Sequence, residues 1–332
     1  MDKGEIGKHF MMEILPLLTF DSWLSDLLRR VDEGYATTFG ALASALGTRT
    51  ASRAVGERIV SGRIKGPVHR VVYSDMRVPG RSIELLEREM ELERKGPHFK
   101  VEEGRIINFM ESKGPLCHLK DLQRMMRPLL STKPRRKIKT VAGMDISSGE
   151  NIHMAGLGPM DLEGNGLGEL CLRGEPPLPY IPGLLFYREA PLLLPLLWKA
   201  ESMGLVDEGT LLVLDGNGTL HPEKMGIACH LGIASGMMTS GVAKKLHVGR
   251  QIPTTEEVNG SIFSDIILND ETVGAAMWGP EGSKPVYISP GDGSDLKTVK
   301  IILSGLRRTR IPEPTRRAHE ICNRCRRSET VP

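Results

Sequence analysis

Two apolar runs constrain this chain more than any other feature, because each carries an aspartate where a buried strand offers it no polar partner. The first, Lys139-Thr140-Val141-Ala142-Gly143-Met144-Asp145-Ile146-Ser147, has its acid just past the middle. The second, Gly209-Thr210-Leu211-Leu212-Val213-Leu214-Asp215-Gly216-Asn217-Gly218, ends on its acid at a glycine-rich turn. Burying a carboxylate without a partner costs several kcal/mol, so both strands want a cation or a cluster of hydrogen bonds.

Between them lies Pro179-Tyr180-Ile181-Pro182-Gly183-Leu184-Leu185-Phe186-Tyr187-Arg188-Glu189. Prolines on both sides of Tyr180 fix φ and remove two amide donors, so the loop can be stiff without belonging to a sheet. A stiff loop with an aromatic tip can act as a wedge. Glu189, just before Pro191 and an apolar run to Met203, is expected at the head of a helix and beside the wedge. Each acid alone reads as a turn or cap residue, but the three can converge at one sheet edge. Ionised carboxylates share a site only if a cation balances them. Oxygen-only ligation points to Mg²⁺ or Mn²⁺ rather than zinc, an arrangement suited to phosphodiester hydrolysis.

At 332 residues, with 40% apolar and 26% charged residues, the chain suits two cores better than one. Its net charge of +3 sets up no global field, but one basic run spans Lys120 to Lys139 and another spans Arg307 to Arg327. Such patches suit a polyanion or a solvated face equally. Five cysteines at irregular spacing do not make a secreted disulfide framework, so a cytoplasmic protein is expected. Cys322 and Cys325, with His319 before them, read as ordinary thiols. The longest apolar run, Pro191 to Trp198, is too short to span a bilayer, and a monomer without membrane contact is expected.

In the N-terminal part, Trp23 to Val31 has helical spacing, with Asp21 or Ser22 as cap and Gly34 beyond its end. Two short helices follow, from Thr37 to a stop at Gly47 and from Thr50 to Val60, the outline of a helix-turn-helix. Then comes Gly66-Pro67-Val68-His69-Arg70-Val71-Val72. Over roughly residues 20 to 108 the sequence resembles the DNA-binding domain of O6-alkylguanine-DNA alkyltransferases. In that family an arginine fills the gap left by an extruded base, a tyrosine pushes on the phosphate, and Pro-Cys-His-Arg holds the alkyl-accepting cysteine. Arg53 matches the arginine, Phe39 stands at the tyrosine and Val68 at the nucleophile, followed by His69 and Arg70. Valine has no lone pair to accept an alkyl group, so transfer is excluded. Base extrusion needs stacking and a plug, and it survives the change. This half therefore resembles alkyltransferase-like proteins, which bind lesion DNA without repairing it. A charged helix from Ser82 to Lys95, a strand over Gly104 to Asn108 and a boundary near 110 are expected to close it, and a helix from Leu116 to Leu130 to follow.

The remainder resembles endonuclease V over about residues 112 to 322. The resemblance is carried by the three acid-bearing stretches in order, then Gly226-Ile227-Ala228-Cys229-His230-Leu231-Gly232, Gly241-Val242-Ala243-Lys244-Lys245, Tyr287-Ile288-Ser289-Pro290-Gly291 and Ile311-Pro312-Glu313-Pro314-Thr315-Arg316-Arg317-Ala318-His319. It implies a ribonuclease H-like α/β fold, a mixed sheet with flanking helices, preceded by a small helix-turn-helix or winged-helix-like domain. It also implies Mg²⁺-dependent nicking of DNA at the second phosphodiester 3′ to deoxyinosine. Carried over, Asp145, Glu189 and Asp215 would hold the metal, Lys244 and His319 would serve the phosphate, and Tyr180 would fill the gap between Pro179 and Pro182. Backbone groups near Gly183, Leu185 and Gly216 would grip the base. Asn217 and Asp292 replace family histidines, which removes two imidazoles near the expected site. The expectation is a fusion: residues 1–110 bind DNA with alkylated bases, and residues 111–332 cut DNA with deaminated ones. The rival expectations are a catalytically impaired lesion-binding protein and a ribonuclease acting on inosine in RNA.

Overall fold

The computed structural model describes residues 3–92, 99–109, 113–149, 152–279 and 283–329. They form two compact units. One is Leu18–Leu122 with Pro177–Leu184; the other is Met1–Leu17, Gln123–Pro176 and Leu185–Pro332. The division differs from the expected 1–110 and 111–332: Met1–Leu17, with helix α1 (Lys3–His9), counts with the larger unit, while the smaller runs on to Leu122 and takes in Pro177–Leu184. A Cβ on Gly7 would stand 2.5 Å from the Ala234 carbonyl oxygen, and the Phe10 ring lies 5.2 Å from that of Phe186. The expected boundary residue 110 lies outside the described residues.

In the smaller unit, α2 (Phe20–Arg29) starts three residues before the expected Trp23 and buries Phe20, Leu24, Leu27 and Leu28. Strand β1 (Thr37–Thr38) leads into α3 (Phe39–Ala45), where the Thr38 hydroxyl accepts the Ala41 N–H at 3.0 Å. Gly47, at φ +110°, ends the helix in a conformation closed to most side chains. A 3₁₀ turn then feeds α4 (Ser52–Val60), completing the expected helix-turn-helix. Strand β2 (Val71–Val72) runs parallel to β1, with Thr37 opposite Val71 and Thr38 opposite Val72. Helix α5 (Ile83–Glu89) is shorter than expected because Met90 turns extended; Lys95 lies outside the described residues. In place of a strand over Gly104 to Asn108 there is a 3₁₀ turn and a single bridge from Ala36 to Ile106. Helix α6 (Pro115–Met126) follows, and a 3₁₀ turn at Arg127–Leu129 completes the expected span.

The larger unit is one mixed sheet flanked by helices, the expected fold class. Its strands are β3 (Thr140–Ser148), β4 (His153–Asp161), β5 (Leu170–Gly174), β6 (Thr210–Asp215), β7 (Met238–Ala243), β8 (Arg250–Gln251), β9 (Glu256–Val258), β10 (Ser261–Leu268), β11 (Glu271–Trp278) and β12 (Val286–Pro290). They lie in the order β5-β4-β3-β6-β7-β12-β11-β10-β8, with β9 also on β10. Strands β3, β6 and β7 are mutually parallel and the other pairs antiparallel. The helices are α7 (Leu185–Ser202), α8 (Ile227–Ser235), α9 (Leu296–Gly305) and α10 (Glu313–Glu329).

Strand β4 was not expected, and it contains Gly156, Gly158 and Pro159, residues disfavoured inside a strand. Those glycines are where α10 crosses the sheet: a Cβ on Gly156 would lie 2.8 Å from Cys322 Sγ, and one on Gly143 would lie 1.7 Å from the Pro314 carbonyl oxygen. Helix α7 begins at Leu185, with Pro191 and Pro195 inside it, each removing one helical hydrogen bond. Glu189 therefore stands within the helix rather than at its head. The expected pair of ordinary thiols is also split. Cys325 on α10 is disulfide-bonded to Cys171 on β5, whereas Cys322 is buried with its Sγ 3.2 Å from the Asp145 carbonyl oxygen. Among the described residues no helix is long and apolar enough to cross a membrane.

Candidate active site

Parallel pairing sets the geometry of the site. Met144 is opposite Leu214 across β3 and β6, so the next residue on each strand, Asp145 and Asp215, projects at the same level. Asp145 is 9% exposed. Its Oδ2 lies 2.8 Å from Nδ1 of His319 on α10, and its Oδ1 accepts the Ile146 N–H at 2.8 Å. Lys244, one residue past β7, places Nζ 2.5 Å from Asp215 Oδ2.

Burial and the neighbouring Asp215 raise the Asp145 carboxyl above its ordinary range, against the pull of His319. Glu189, reaching in from α7, is pushed up to about 8 by burial and then by Asp145 and Asp215, with Arg188 opposing. Asp145 and Glu189 thus resist ionisation, through burial first and then through the neighbouring acids. Arg188, which the sequence reading missed, also lies 3.0 Å from Nε2 of His153, whose pKa burial and this cation lower to about 4. Nothing in the sequence linked these two, since β4 itself was not foreseen.

Among the described residues no three acidic, imidazole or thiol groups converge closely enough to hold one ion as their side chains stand. Asp145 and Asp215 are turned onto His319 and Lys244. The donor set still fits a hard divalent cation: it is carboxylate oxygen, and Asp145 and Glu189 are held above their ordinary range by burial and by the neighbouring acids.

Gly216 follows Asp215, and a Cβ there would lie 2.6 Å from Ile227 Cγ2. Asn217 has its Oδ1 buried without a hydrogen-bond partner. Asp292 is not near the acids. It is fully buried beside Thr239 at the opposite end of β7 from Lys244, pairs with Arg135 and accepts the Ser131 N–H at 2.9 Å. Its replacement of an imidazole therefore concerns packing. Much of the two basic runs is similarly engaged, as in Arg136 with Glu208 and Arg324 with Glu169.

The remaining candidates, apart from Leu185 at the start of α7, fall in the smaller unit. Tyr180 is 57% exposed, while Pro179 is buried. Leu184 N–H donates to the Ile181 carbonyl at 3.0 Å, closing a turn with Pro182 second and Gly183 third at φ +83°, the type II pattern. Arg53 is exposed and pairs with Glu57 one turn on, at 2.9 Å. Val68 opens a 3₁₀ turn. His69 and Arg70 point inward, and both engage Glu89, at 2.8 and 2.5 Å. Glu89 carried no signal in the sequence, being just one acid of a charged helix.

Fold and site together define an α/β protein of the nuclease type, with acids at the centre of a mixed sheet. The family described as Endonuclease V matches residues 123–320, and that described as 6-O-methylguanine DNA methyltransferase, DNA binding domain, matches residues 19–96. Endonuclease V of Myxococcus xanthus is 36% identical over 219 residues, covering 63% of this chain and 88% of the relative. That of Methanothrix thermoacetophila is 34% identical over 202 residues, covering 60% and 86%. Among solved structures, Streptomyces avermitilis endonuclease V superposes with a TM-score of 0.57 at 29% identity, covering 64% of this chain and 94% of its own. Human endonuclease V does so with 0.58 at 26%, covering 65% and 100%. The chain belongs to the endonuclease V family. It is a DNA-repair endonuclease of that family, with an alkyltransferase-like DNA-binding unit ahead of its nuclease sheet.

Proposed function

We propose that this chain nicks DNA beside a deaminated base, deoxyinosine above all, at the second phosphodiester on the 3′ side, using Mg²⁺ or Mn²⁺ held by Asp145, Glu189 and Asp215. The observation that carries this reading is the alignment of Asp145 and Asp215 on neighbouring parallel strands, with His319 and Lys244 on them and with Glu189 close enough for both acids to raise its pKa. When bound, the ion supplies positive charge at the scissile phosphate and acidifies a water.

The side chains do the rest. Glu189, whose carboxyl is pushed up to about 8, would have to be ionised to help Asp145 and Asp215 hold the ion. Lys244, freed from Asp215, turns its ammonium to a non-bridging phosphate oxygen. His319 keeps Nδ1 on Asp145, which leaves Nε2 to orient water or pass a proton. Tyr180 fills the gap left by the flipped base, on a loop stiffened by Pro179 and Pro182. Backbone groups around Gly183, Leu185 and Gly216 grip the base, glycine allowing close approach. The smaller unit, with Arg53 and Phe39 on its helix-turn-helix, holds DNA bearing alkylated bases and performs no transfer, since Val68 has no nucleophilic atom.

The test uses labelled duplex DNA and labelled RNA, each with and without one inosine, incubated with the full chain and Mg²⁺ beside the Asp145→Ala variant. A nick in the inosine DNA that needs both metal and Asp145 is expected. Cleavage confined to RNA would replace the substrate, and inosine-dependent binding without a nick would make the chain a lesion-binding protein.

A further inference from the structure

The register of the small parallel sheet brings together two rings that are far apart in the sequence. Thr38 is opposite Val72, so the next residues, Phe39 at the start of α3 and Tyr73 past the end of β2, emerge side by side. Their ring centroids are 5.8 Å apart and the rings are tilted by 41°. Tyr73 is 50% exposed and opens a tight turn, closed by the Met76 N–H on the Tyr73 carbonyl at 2.8 Å, with Met76 at φ +65°. The Phe39 ring lies over α4 at Gly56, where a Cβ would meet it at 3.9 Å. Arg53 is one turn earlier on that helix, so Gly56 and Arg53 share a face. Arg49, just before α4, brings its Nε within 3.8 Å of a Cβ placed on Gly40, in the first turn of α3 beside Phe39.

Two adjoining rings edged by the solvent-exposed Arg53 and by Arg49 suit one kind of ligand, a nucleic acid with an exposed base. The rings offer a stacking face and the arginines meet the backbone charge. We propose that Tyr73, with Phe39, forms a platform on which a base unstacked from duplex DNA is held beside Arg53. This rests on the reading that the smaller unit binds DNA.

The experiment measures binding of the full chain, in EDTA so that nothing is cut, to a labelled duplex with one O6-methylguanine and to the same duplex undamaged. Tyr73→Ala is expected to weaken lesion binding on the order of tenfold, with an unchanged melting temperature. Tyr73→Phe, which keeps the ring, is expected to stay within about twofold of the unmutated chain. Arg53→Ala separates the two ideas. If it weakens lesion binding and Tyr73→Ala does not, the platform is wrong and the DNA-binding reading stands; if neither changes binding, that reading falls as well. A loss in Tyr73→Phe as large as in Tyr73→Ala would assign the contact to the hydroxyl and overturn stacking.

Discussion

Asp145 and Glu89 are both carboxylates set 2.8 Å from a histidine, and they titrate in opposite directions. Glu89, in the smaller unit, receives Arg70 and His69 together, and these hydrogen bonds hold its carboxyl below the usual range. Asp145, in the nuclease sheet, has one imidazole against its own burial and the charge of Asp215, and its carboxyl is held above that range. The Glu89 cluster is a finished structural joint, complete in the free protein. In the acid cluster Lys244 answers Asp215, while Asp145 and Glu189 stay raised, which is the condition of a site able to receive a further cation. Asp292 extends the contrast: it is as buried as any group in the chain, yet it is matched by Arg135 and the Ser131 amide, and so it belongs with Glu89.

The contrast breaks most visibly if an acid of the sheet proves dispensable. Asp215→Ala is expected to lower single-turnover nicking by about a thousandfold or more. Lys244→Ala should cost about a hundredfold or more in rate, while metal affinity holds or improves, because Asp215 loses its internal cation. A parallel fall in metal affinity would show that the lysine only shapes the site.

Asp292→Ala should do the reverse, lowering stability in urea by about 3 kcal/mol by stranding a partly buried arginine, with the folded fraction still cutting normally. The smallest effect concerns Glu189. Its folded pKa of about 8 lies above its ordinary 4.5, so the metal-free chain binds more protons folded than unfolded between these values. Stability then falls as pH rises through that window and levels off above about 8, by on the order of 2 kcal/mol for a partly exposed group. Glu189→Gln should flatten the fall measured in chelator, and Mg²⁺ should flatten it in the unmutated chain. A slope that survives both would place the missing charge elsewhere.

Much of this arrangement was legible in the sequence, because an acid inside an apolar strand is a local anomaly. Asp145 and Asp215 announced themselves in that way, and the hydrophobic runs around them set the strands that align them. What stayed hidden depended on distant partners. Strand β4 was obscured by Gly156, Gly158 and Pro159, whose small size makes sense only once α10 lies across them. The start of α7 was hidden by Pro191 and Pro195, which tertiary packing tolerates inside a helix. The role of Asp292 depended on Arg135, which is brought to it only by the fold. Tyr73 became visible only through the register that sets it beside Phe39.

The central claim is that the acid cluster is a cation site that cuts DNA next to a deaminated base. The most direct measurement maps the break in a 5′-labelled duplex carrying one deoxyinosine, under single turnover with the full chain, before and after Mg²⁺ is added. The account predicts one metal-dependent product, ending one nucleotide beyond the inosine on its 3′ side. Uncut strands in Mg²⁺, or an equal yield from the duplex without inosine, would contradict it.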